Sequence, residues 1–175
     1  RSEPFVLITG HRRENFGKGF EQICEALSVL ADRFNNARFV YPVHLNPSVK
    51  CVVEQRLANR PNIFLLEPLP YRPFVALMKY AGLILTDSGG VQEEAPSFGT
   101  PVLVMRETTE RPEGIEAGVA HLVGANCSSI VKAASEYIEN IRLTETHRLK
   151  INPYGDGHSG ELVVKLISDH LGLPR

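Results

Sequence analysis

The stretch Leu83-Ile84-Leu85-Thr86-Asp87-Ser88-Gly89-Gly90-Val91-Gln92-Glu93-Glu94 decides the fold of this chain. An apolar strand, Leu83 to Asp87, leads through the turn Ser88-Gly89-Gly90 into a helix that we predict over Val91 to Phe98. Glycines let backbone N–H groups approach an anion, and the helix start adds about half a positive charge. The turn therefore predicts a seat for a pyrophosphate. The open alternative is a tight strand-to-helix turn in which Ser88 caps the helix.

The same alternation of apolar strand and amphipathic helix extends along the whole chain. The predicted strands are Phe5 to Thr9, Arg38 to Val43, Asn62 to Leu66, Leu83 to Asp87, Pro101 to Met105 and Ala120 to Val123. Continuous apolar runs of this length are typical of strands buried on both faces, and alternation with helices indicates a parallel sheet. We predict one α/β domain over residues 1–175, with a Rossmann-like parallel sheet and helices on both faces.

The helix between the first two strands has the clearest period. Its apolar positions recur at helical spacing at Phe20, Ile23, Cys24, Leu27, Leu30, Ala31 and Phe34. Further helices are predicted over Pro47 to Leu57, Phe74 to Tyr80, Val91 to Phe98, Ser128 to Ile141 and Glu161 to Leu171. Several of them open with Pro, Ser or Gly, which are common signals of a helix start.

Composition excludes several classes of protein. The 19 basic and 20 acidic residues nearly cancel, so we expect neither a nucleic-acid partner nor a membrane partner. The three cysteines, Cys24, Cys51 and Cys127, have the spacing of neither a zinc site nor a disulfide framework. We expect all three to be small structural hydrophobes in a cytoplasmic protein that holds no metal and no cofactor. The first residues, Arg1 to Pro4, lack an initiator Met, and we expect an upstream segment.

Four polar loops are predicted to share one rim of the sheet. In an open parallel sheet, ligands bind at the carboxyl ends of the strands. The loops that begin there are Gly10 to Asn15, His44 to Pro47, Ser88 to Gly90 and Arg106 to Pro112. Any ligand of the glycine turn would therefore meet the side chains of the other three loops.

The first two of these loops carry basic side chains. His11 can donate a hydrogen bond to a phosphate or move a proton, and the alternative is a loop histidine bonded to the backbone. Arg12 and Arg13 can clamp a phosphate, or they can be solvated or paired with an acid such as Glu14. His44 can contact a ligand or simply complete a polar turn.

The helix that follows the glycine turn offers a carboxylate, and the loop from Arg106 to Pro112 offers a positive charge. Glu94, about a turn and a half beyond Ser88, can accept two hydrogen bonds from ribose hydroxyls, although Glu93 offers the same chemistry on another helix face. Arg111 can bring a positive charge to the phosphate, or it can be an ordinary surface arginine. The chain has no P-loop lysine after the glycines and no nucleophile elbow, so kinase and hydrolase functions lose support.

Together, five motifs closely resemble a known family, the UDP-N-acetylglucosamine 2-epimerases of the non-hydrolysing, bacterial type. The motifs run from Thr9 to Asn15, Tyr41 to Pro47, Thr86 to Pro96, Thr108 to Glu113 and Asn152 to Gly157. The resemblance covers nearly the whole chain but only the C-terminal half of that family's protein. It implies one half of a glycosyltransferase-B-like two-domain architecture, in which residues 1–175 form the UDP-binding domain and the N-terminal domain is absent.

The resemblance also implies roles for residues of the rim. By this comparison Ser88-Gly89-Gly90 hold the pyrophosphate and Glu94 holds the ribose. Arg111 and His11 lie at the phosphate region, and His11 is the catalytic candidate of this half. The carboxylates that transfer the C2 proton belong to the absent half.

Two further sites follow from the resemblance alone. Phe74, with the backbone near Leu69, is implied to flank the uracil. Arg12 and His44 match positions associated with a second substrate molecule that acts as an allosteric activator.

The implied reaction removes the C2 proton while UDP leaves, and re-addition gives the N-acetylmannosamine epimer. The implied partners are UDP-N-acetylglucosamine and UDP, with a homodimer as the full-length protein, and we expect the isolated domain to bind UDP without turnover. The alternatives are a hydrolysing epimerase, the C-terminal half of a glycosyltransferase, or a stand-alone UDP-sugar-sensing module.

Overall fold

One six-stranded parallel sheet forms the centre of the protein, whose computed structural model describes residues 5–140 and 151–172. The strands are β1 (Phe5–Thr9), β2 (Arg38–Pro42), β3 (Ile63–Leu66), β4 (Leu83–Thr86), β5 (Val102–Val104) and β6 (Ala120–Leu122). They pair in the order β3-β2-β1-β4-β5-β6. This arrangement confirms the predicted α/β class, and every strand bound lies within one residue of its prediction.

Strand residues alternate between two apolar clusters, one on each face of the sheet. In β1, Val6 and Ile8 belong to the first cluster, whereas Leu7 belongs to the second. The four residues of β4 are all buried. Side chains of a strand point alternately to opposite faces, so a strand with no polar face must be covered on both sides. The apolar runs in the sequence follow from this double coverage.

Helices supply the cover on both faces. They are α1 (Lys18–Arg33), α2 (Pro47–Leu57), α3 (Tyr71–Tyr80), α4 (Gly89–Glu94), α5 (Pro112–Glu116), α6 (Cys127–Glu139) and α7 (Ser159–Leu171). The first cluster takes side chains from α1, α2 and α6, for example Leu27, Val53 and Ile130. The second takes Met78 of α3 and Val91 of α4. The predicted helices on both faces are therefore confirmed.

Several helix bounds differ from the predictions. Helix α3 begins three residues before the predicted Phe74, and α4 already includes Gly89 and Gly90. The chain then tightens into a 3₁₀ turn at Ala95–Phe98, which contains Pro96. Proline lacks the N–H that an α-helix needs at an interior position, which explains the early end of α4. Helix α5 was not predicted at all, and the predicted helix end at Ile141 lies outside the described residues.

The three cysteines do not share one environment. Cys24 is buried in α1, as predicted, and burial raises the pKa of its thiol to about 12. Cys127 is partly buried. Cys51 is exposed, so its prediction as a buried hydrophobe is wrong. Helix α2 turns Val49 and Val53 toward the core, and the residue midway between them faces the opposite side of the helix.

Helix α7 differs from the other long helices because none of its residues is buried. Its apolar side chains are more than half exposed, from 52% for Val163 to 64% for Val164. In the described part of the chain, no helix combines the length and the apolar character needed to cross a membrane.

Candidate functional site

The four predicted rim loops meet at the carboxyl ends of β1, β2, β4 and β5. The imidazole of His11 stacks on that of His44, with ring centroids 5.3 Å apart and planes inclined by 14°. The backbone of His11 also bonds Asp87, at the end of β4. Glu14 forms an ion pair with Arg106, which follows β5. The predicted common rim is therefore confirmed by contacts between loops.

Asp87 lies at the centre of these contacts, although sequence reasoning treated it only as the end of a strand. Its carboxylate is fully buried. It accepts hydrogen bonds from the N–H of His11 at 3.0 and 3.1 Å, from the N–H of Arg12 at 2.9 Å, and from Nδ2 of Asn15 at 3.3 Å. An acidic residue at the end of a fully apolar strand was the available signal, because a buried carboxylate needs such donors.

In the glycine turn Gly89 is buried, Ser88 is partly buried and Gly90 is exposed. The N–H of Ser88 is bonded to Oγ1 of Thr86 at 2.9 Å, and its side chain does not cap the helix. Ser88 therefore occupies the N-cap position of the alternative interpretation, but without the side-chain bond that would cap the helix. Gly89 and Gly90 form the first turn of α4, where N–H groups have no acceptor within the helix. These two N–H groups are the donors that the turn can offer to an anion.

Two guanidinium groups approach Gly89. A Cβ added to this glycine would lie 3.3 Å from Nη2 of Arg12 and 3.9 Å from Nη2 of Arg111. The Nε atom of Arg12 is buried and has no hydrogen-bond partner among the described residues. Two positive charges thus face the glycine turn, which has no side chain at this point. An anion with several oxygens matches this arrangement.

Arg111 is held in place by the helix it faces. Its Nε bonds Glu93, which raises the pKa of the guanidinium, and its Nη1 donates to the carbonyl of Glu110 at 3.0 Å. The hydroxyl of Thr109 lies 2.6 Å from Oε1 of Gln92 and accepts from the N–H of Arg111 at 3.1 Å. The loop after β5 is therefore attached to α4 at several points.

His11 faces both a carboxylate and two basic groups. Its Nδ1 lies 3.6 Å from Oδ1 of Asp87. Burial lowers the pKa of the imidazole, Asp87 partly offsets this, and His44 and Arg12 lower the pKa further. A lowered pKa leaves the ring largely neutral at pH 7, so that it has one donor and one acceptor nitrogen. His11 and His44 line a cleft of about 470 Å³.

Arg106 is the second buried charge of the rim. It is 3% exposed and bonds both Glu14 and Glu110, with distances of 2.6 and 2.9 Å to the oxygens of Glu110. These bonds lower the pKa of Glu110 to about 2. The alternative pairing of Glu14 with Arg12 or Arg13 is wrong, because Glu14 reaches across to Arg106. Arg13 is exposed.

The side chain of Glu94, in α4, is held by a residue of α3. Its Oε2 accepts a hydrogen bond of 2.9 Å from the hydroxyl of Tyr71, the first residue of α3. This bond raises the pKa of Tyr71. Phe74, one turn later, is half-buried and packs against the second apolar cluster, and Leu69 is half-buried just before α3. Tyr71 was not among the predicted site residues.

Comparison with known proteins decides the family. A sequence profile described as UDP-N-acetylglucosamine 2-epimerase matches residues 1–168. The chain belongs to this family.

The epimerase relatives are similar in sequence and in structure. A UDP-N-acetylglucosamine 2-epimerase of Campylobacter jejuni is 51% identical over 166 residues, which are 95% of this chain and 43% of the relative. The crystal structure of the Neisseria meningitidis enzyme bound to UDP-GlcNAc has 42% identity and a TM-score of 0.90, covering 95% of this chain and 45% of that one. The S. aureus MnaA–UDP structure has 45% identity and a TM-score of 0.91, with 98% and 47% covered.

The chain spans somewhat less than half the length of these epimerases. Among the described residues, no three His, Cys, Asp or Glu side chains are grouped so that they could hold a metal ion. Ionisable groups brought together at the rim that carries the glycine turn include His11 with Asp87, Glu14 with Arg106, and Arg111 with Glu93.

Proposed function

We propose that this chain is the UDP-binding half of an enzyme that interconverts UDP-N-acetylglucosamine and UDP-N-acetylmannosamine by elimination and re-addition of UDP. The observation that carries the proposal is the approach of the Arg12 and Arg111 guanidinium groups to Gly89. The family match supports a nucleotide-sugar substrate, and two similar structures contain UDP-GlcNAc or UDP.

The proposed contribution of this half is to stabilise the leaving group. Breaking the bond between the sugar and UDP places negative charge on the diphosphate. Charge-assisted hydrogen bonds from Arg111, together with the N–H groups of Gly89 and Gly90, would be strongest at that moment. Ser88 would bind the same group through its hydroxyl, because its N–H is already bonded to Thr86.

His11 is the proposed catalytic residue of this half. Its neutral ring can donate a hydrogen bond to a phosphate oxygen from one nitrogen and accept from the other. We expect the groups that move the C2 proton in the remaining part of the full-length protein, as the family resemblance implies. Asp87 and Glu14 of this rim already bond other partners.

Recognition of the nucleoside would fall to the loop before α3 and to α4. Glu94 would bind the ribose hydroxyls with its free oxygen, while Tyr71 holds the other oxygen. Phe74 and the backbone near Leu69 would flank the uracil. The half-buried position of Phe74 against the second apolar cluster gives such a contact a fixed support.

We also propose a second substrate molecule as an allosteric activator, bound by Arg12 and His44. Both residues line the cleft of about 470 Å³ beside the glycine turn. Because Arg12 also approaches Gly89, a ligand in this cleft would share a guanidinium with the diphosphate seat.

The proposal assigns residues 1–175 to a single C-terminal domain of a two-domain, homodimeric protein of the cytoplasm. Catalysis then needs both halves, so we expect the chain by itself to bind UDP without converting the sugar nucleotide. Epimerisation by the 175-residue chain alone, measured by product analysis, would contradict this part.

Calorimetric titration with UDP tests the seat directly. We expect Arg111→Ala to weaken binding by about 1.5 to 3 kcal/mol, the usual contribution of a hydrogen bond to a charged group. The matched control is Arg56→Ala, which also removes an arginine from a half-exposed ion pair, with Glu21, on another part of the surface.

The control is expected to bind UDP like the unmodified chain. Equal affinity in Arg111→Ala and the unmodified chain would remove Arg111 from the site. Absence of UDP binding by the unmodified chain would contradict the proposed seat itself.

A further inference from the structure

The side chain of Asp87 is completely buried, and its hydrogen-bond donors among the described residues all belong to the loop after β1. Its carboxylate accepts from two consecutive backbone N–H groups, those of His11 and Arg12, and from the side chain of Asn15. A buried carboxylate is costly unless such donors surround it. The loop has the complementary need, because its N–H groups have left the β1 ladder and require an acceptor.

These two N–H groups belong to the residues whose side chains reach the proposed ligand. From this point the Arg12 guanidinium extends to Gly89 and the His11 imidazole stacks on His44. Fixing two successive peptide groups fixes the direction in which both side chains leave the backbone. The start of the loop is fixed separately, by a bond of 3.1 Å from the Tyr41 hydroxyl to the carbonyl of Gly10.

We propose that Asp87 is a positioning residue for UDP binding: it holds the backbone of His11 and Arg12 so that their side chains face UDP, and it does not contact UDP itself. The inference rests on the proposed function, since it requires that UDP is the ligand of this rim. The competing explanation is a purely structural role, in which Asp87 stabilises the fold without affecting binding. The two explanations differ in one respect: in a positioning role, the effect of Asp87 on UDP affinity requires the side chains of His11 and Arg12, whereas in a structural role it does not.

The main variant is Asp87→Asn, which keeps the size of the side chain. The amide has a single acceptor oxygen and no charge, so either the N–H of His11 loses one of its two acceptors or the N–H of Arg12 loses its acceptor, and the remaining bonds are no longer charge-assisted. Thr100→Val is the matched control, because Thr100 is also buried and its hydroxyl donates to the carbonyl of Met78 at 2.9 Å, away from the rim loops. Both variants lose a buried polar contact, and only the first changes the loop.

UDP affinity is measured by calorimetry in a double-mutant cycle. We expect Asp87→Asn to weaken binding about tenfold or more in the unmodified chain, the scale of one charge-assisted bond. In a His11→Ala, Arg12→Ala background the same substitution should change affinity less than about twofold, since the side chains it acts through are gone. An equal loss in both backgrounds would overturn the inference, as would an Asp87→Asn variant that binds like Thr100→Val.

The titration of His11, followed by NMR, gives a second readout. The charged and titratable groups that face this ring are Asp87, His44 and Arg12, and Asp87 alone among them raises its pKa. Removing that negative charge should therefore lower the pKa of His11, and Thr100→Val should leave it unchanged. An unchanged pKa in Asp87→Asn would contradict the proposed placement of the carboxylate.

A measurement on the unmodified chain covers the case in which Asp87→Asn does not fold. The N–H groups of His11 and Arg12 should exchange with solvent far more slowly than unprotected loop amides. Exchange at the unprotected rate would overturn the inference. If the unmodified chain does not bind UDP, the proposed function fails and the inference fails with it, whereas binding that is insensitive to Asp87 refutes the inference alone.

Discussion

Gly89 is the residue at which the seat has the least room. A Cβ there would lie 3.3 Å from Nη2 of Arg12, closer than most Cβ contacts. We expect Gly89→Ala to weaken UDP binding about tenfold, because the methyl group occupies the space between the helix start and the guanidinium groups. Calorimetric titration measures the effect.

The matched control for this substitution is Gly160→Ala. Gly160 also lies in the first turn of a helix, α7, and no atom lies within 4 Å of an added Cβ. This control should bind UDP normally. If both variants bind UDP equally well, the ligand does not use the space beside Gly89.

Arg106 provides a pH-dependent contribution to stability at the same rim. Its bonds lower the pKa of Glu110 from 4.5 to about 2. A lowered carboxyl pKa stabilises the folded state above the unfolded-state value, and the contribution is lost as pH falls from about 4.5 to about 2. We therefore expect the difference in unfolding free energy between the unmodified chain and Arg106→Leu to shrink over this interval, as measured by urea unfolding.

At neutral pH we expect Arg106→Leu to lower the unfolding free energy by about 2 kcal/mol, since it removes several charge-assisted bonds. The two carboxylates it leaves behind are about half exposed and can be hydrated, which keeps the loss moderate. A difference that stays constant from neutral pH to pH 2 would show that the ion pairs do not form in solution.

At the level of secondary structure, α1 and α7 provide a direct comparison. Leu27 of α1 is fully buried, whereas Leu166 of α7 is 59% exposed. We expect Leu27→Ala to lower the unfolding free energy by about 3 kcal/mol, through lost transfer energy and a cavity. Leu166→Ala should change it by less than about 0.5 kcal/mol. Urea unfolding of the two variants measures both, and a large loss for Leu166→Ala would mean that α7 is covered in solution.

Elements with a clear period or a long apolar run were the ones that sequence could predict. Helix α1 shows an apolar residue at every turn, and β4 is apolar throughout, so both follow from local pattern. Helix α5 has only five residues, too few for a period to emerge, although Pro112 at its start was a valid signal. The early start of α3 was missed because Tyr71 and Arg72 are exposed and add nothing to the apolar pattern.

The location of the candidate site could be predicted from the sequence, but the partners of its side chains could be predicted less well. Parallel topology places Gly10 to Asn15 and Ser88 to Gly90 at one edge, which is a property of the strand order. The choice of partner for Glu14 depends on side-chain reach across the rim, and Arg106 lies 92 positions away in sequence. Asp87 was missed because its role becomes visible only when the loop folds back over the end of β4.

At the scale of the whole molecule, the two apolar clusters and the rim are separate features of one sheet. The clusters lie on its two faces, and the residues of the candidate site lie at its carboxyl edge. Substitutions at the rim can therefore be tested for binding without removing the apolar contacts that hold the helices to the sheet. The chain covers somewhat less than half of its relatives' length, and that partial span is the reason for testing UDP binding before turnover.

The strand order has a consequence for the nascent polypeptide. Strands β3, β2 and β1 come from residues 5–66 and form one wing of the sheet, whereas β4, β5 and β6 come from residues 83–122 and form the other. Within the described residues, β1 and β4 are the strands that pair across the two wings. During synthesis the first wing emerges from the ribosome before the second has been translated. The proposed UDP seat takes residues from both wings, so it forms only after Arg111 has been translated and β1 has paired with β4.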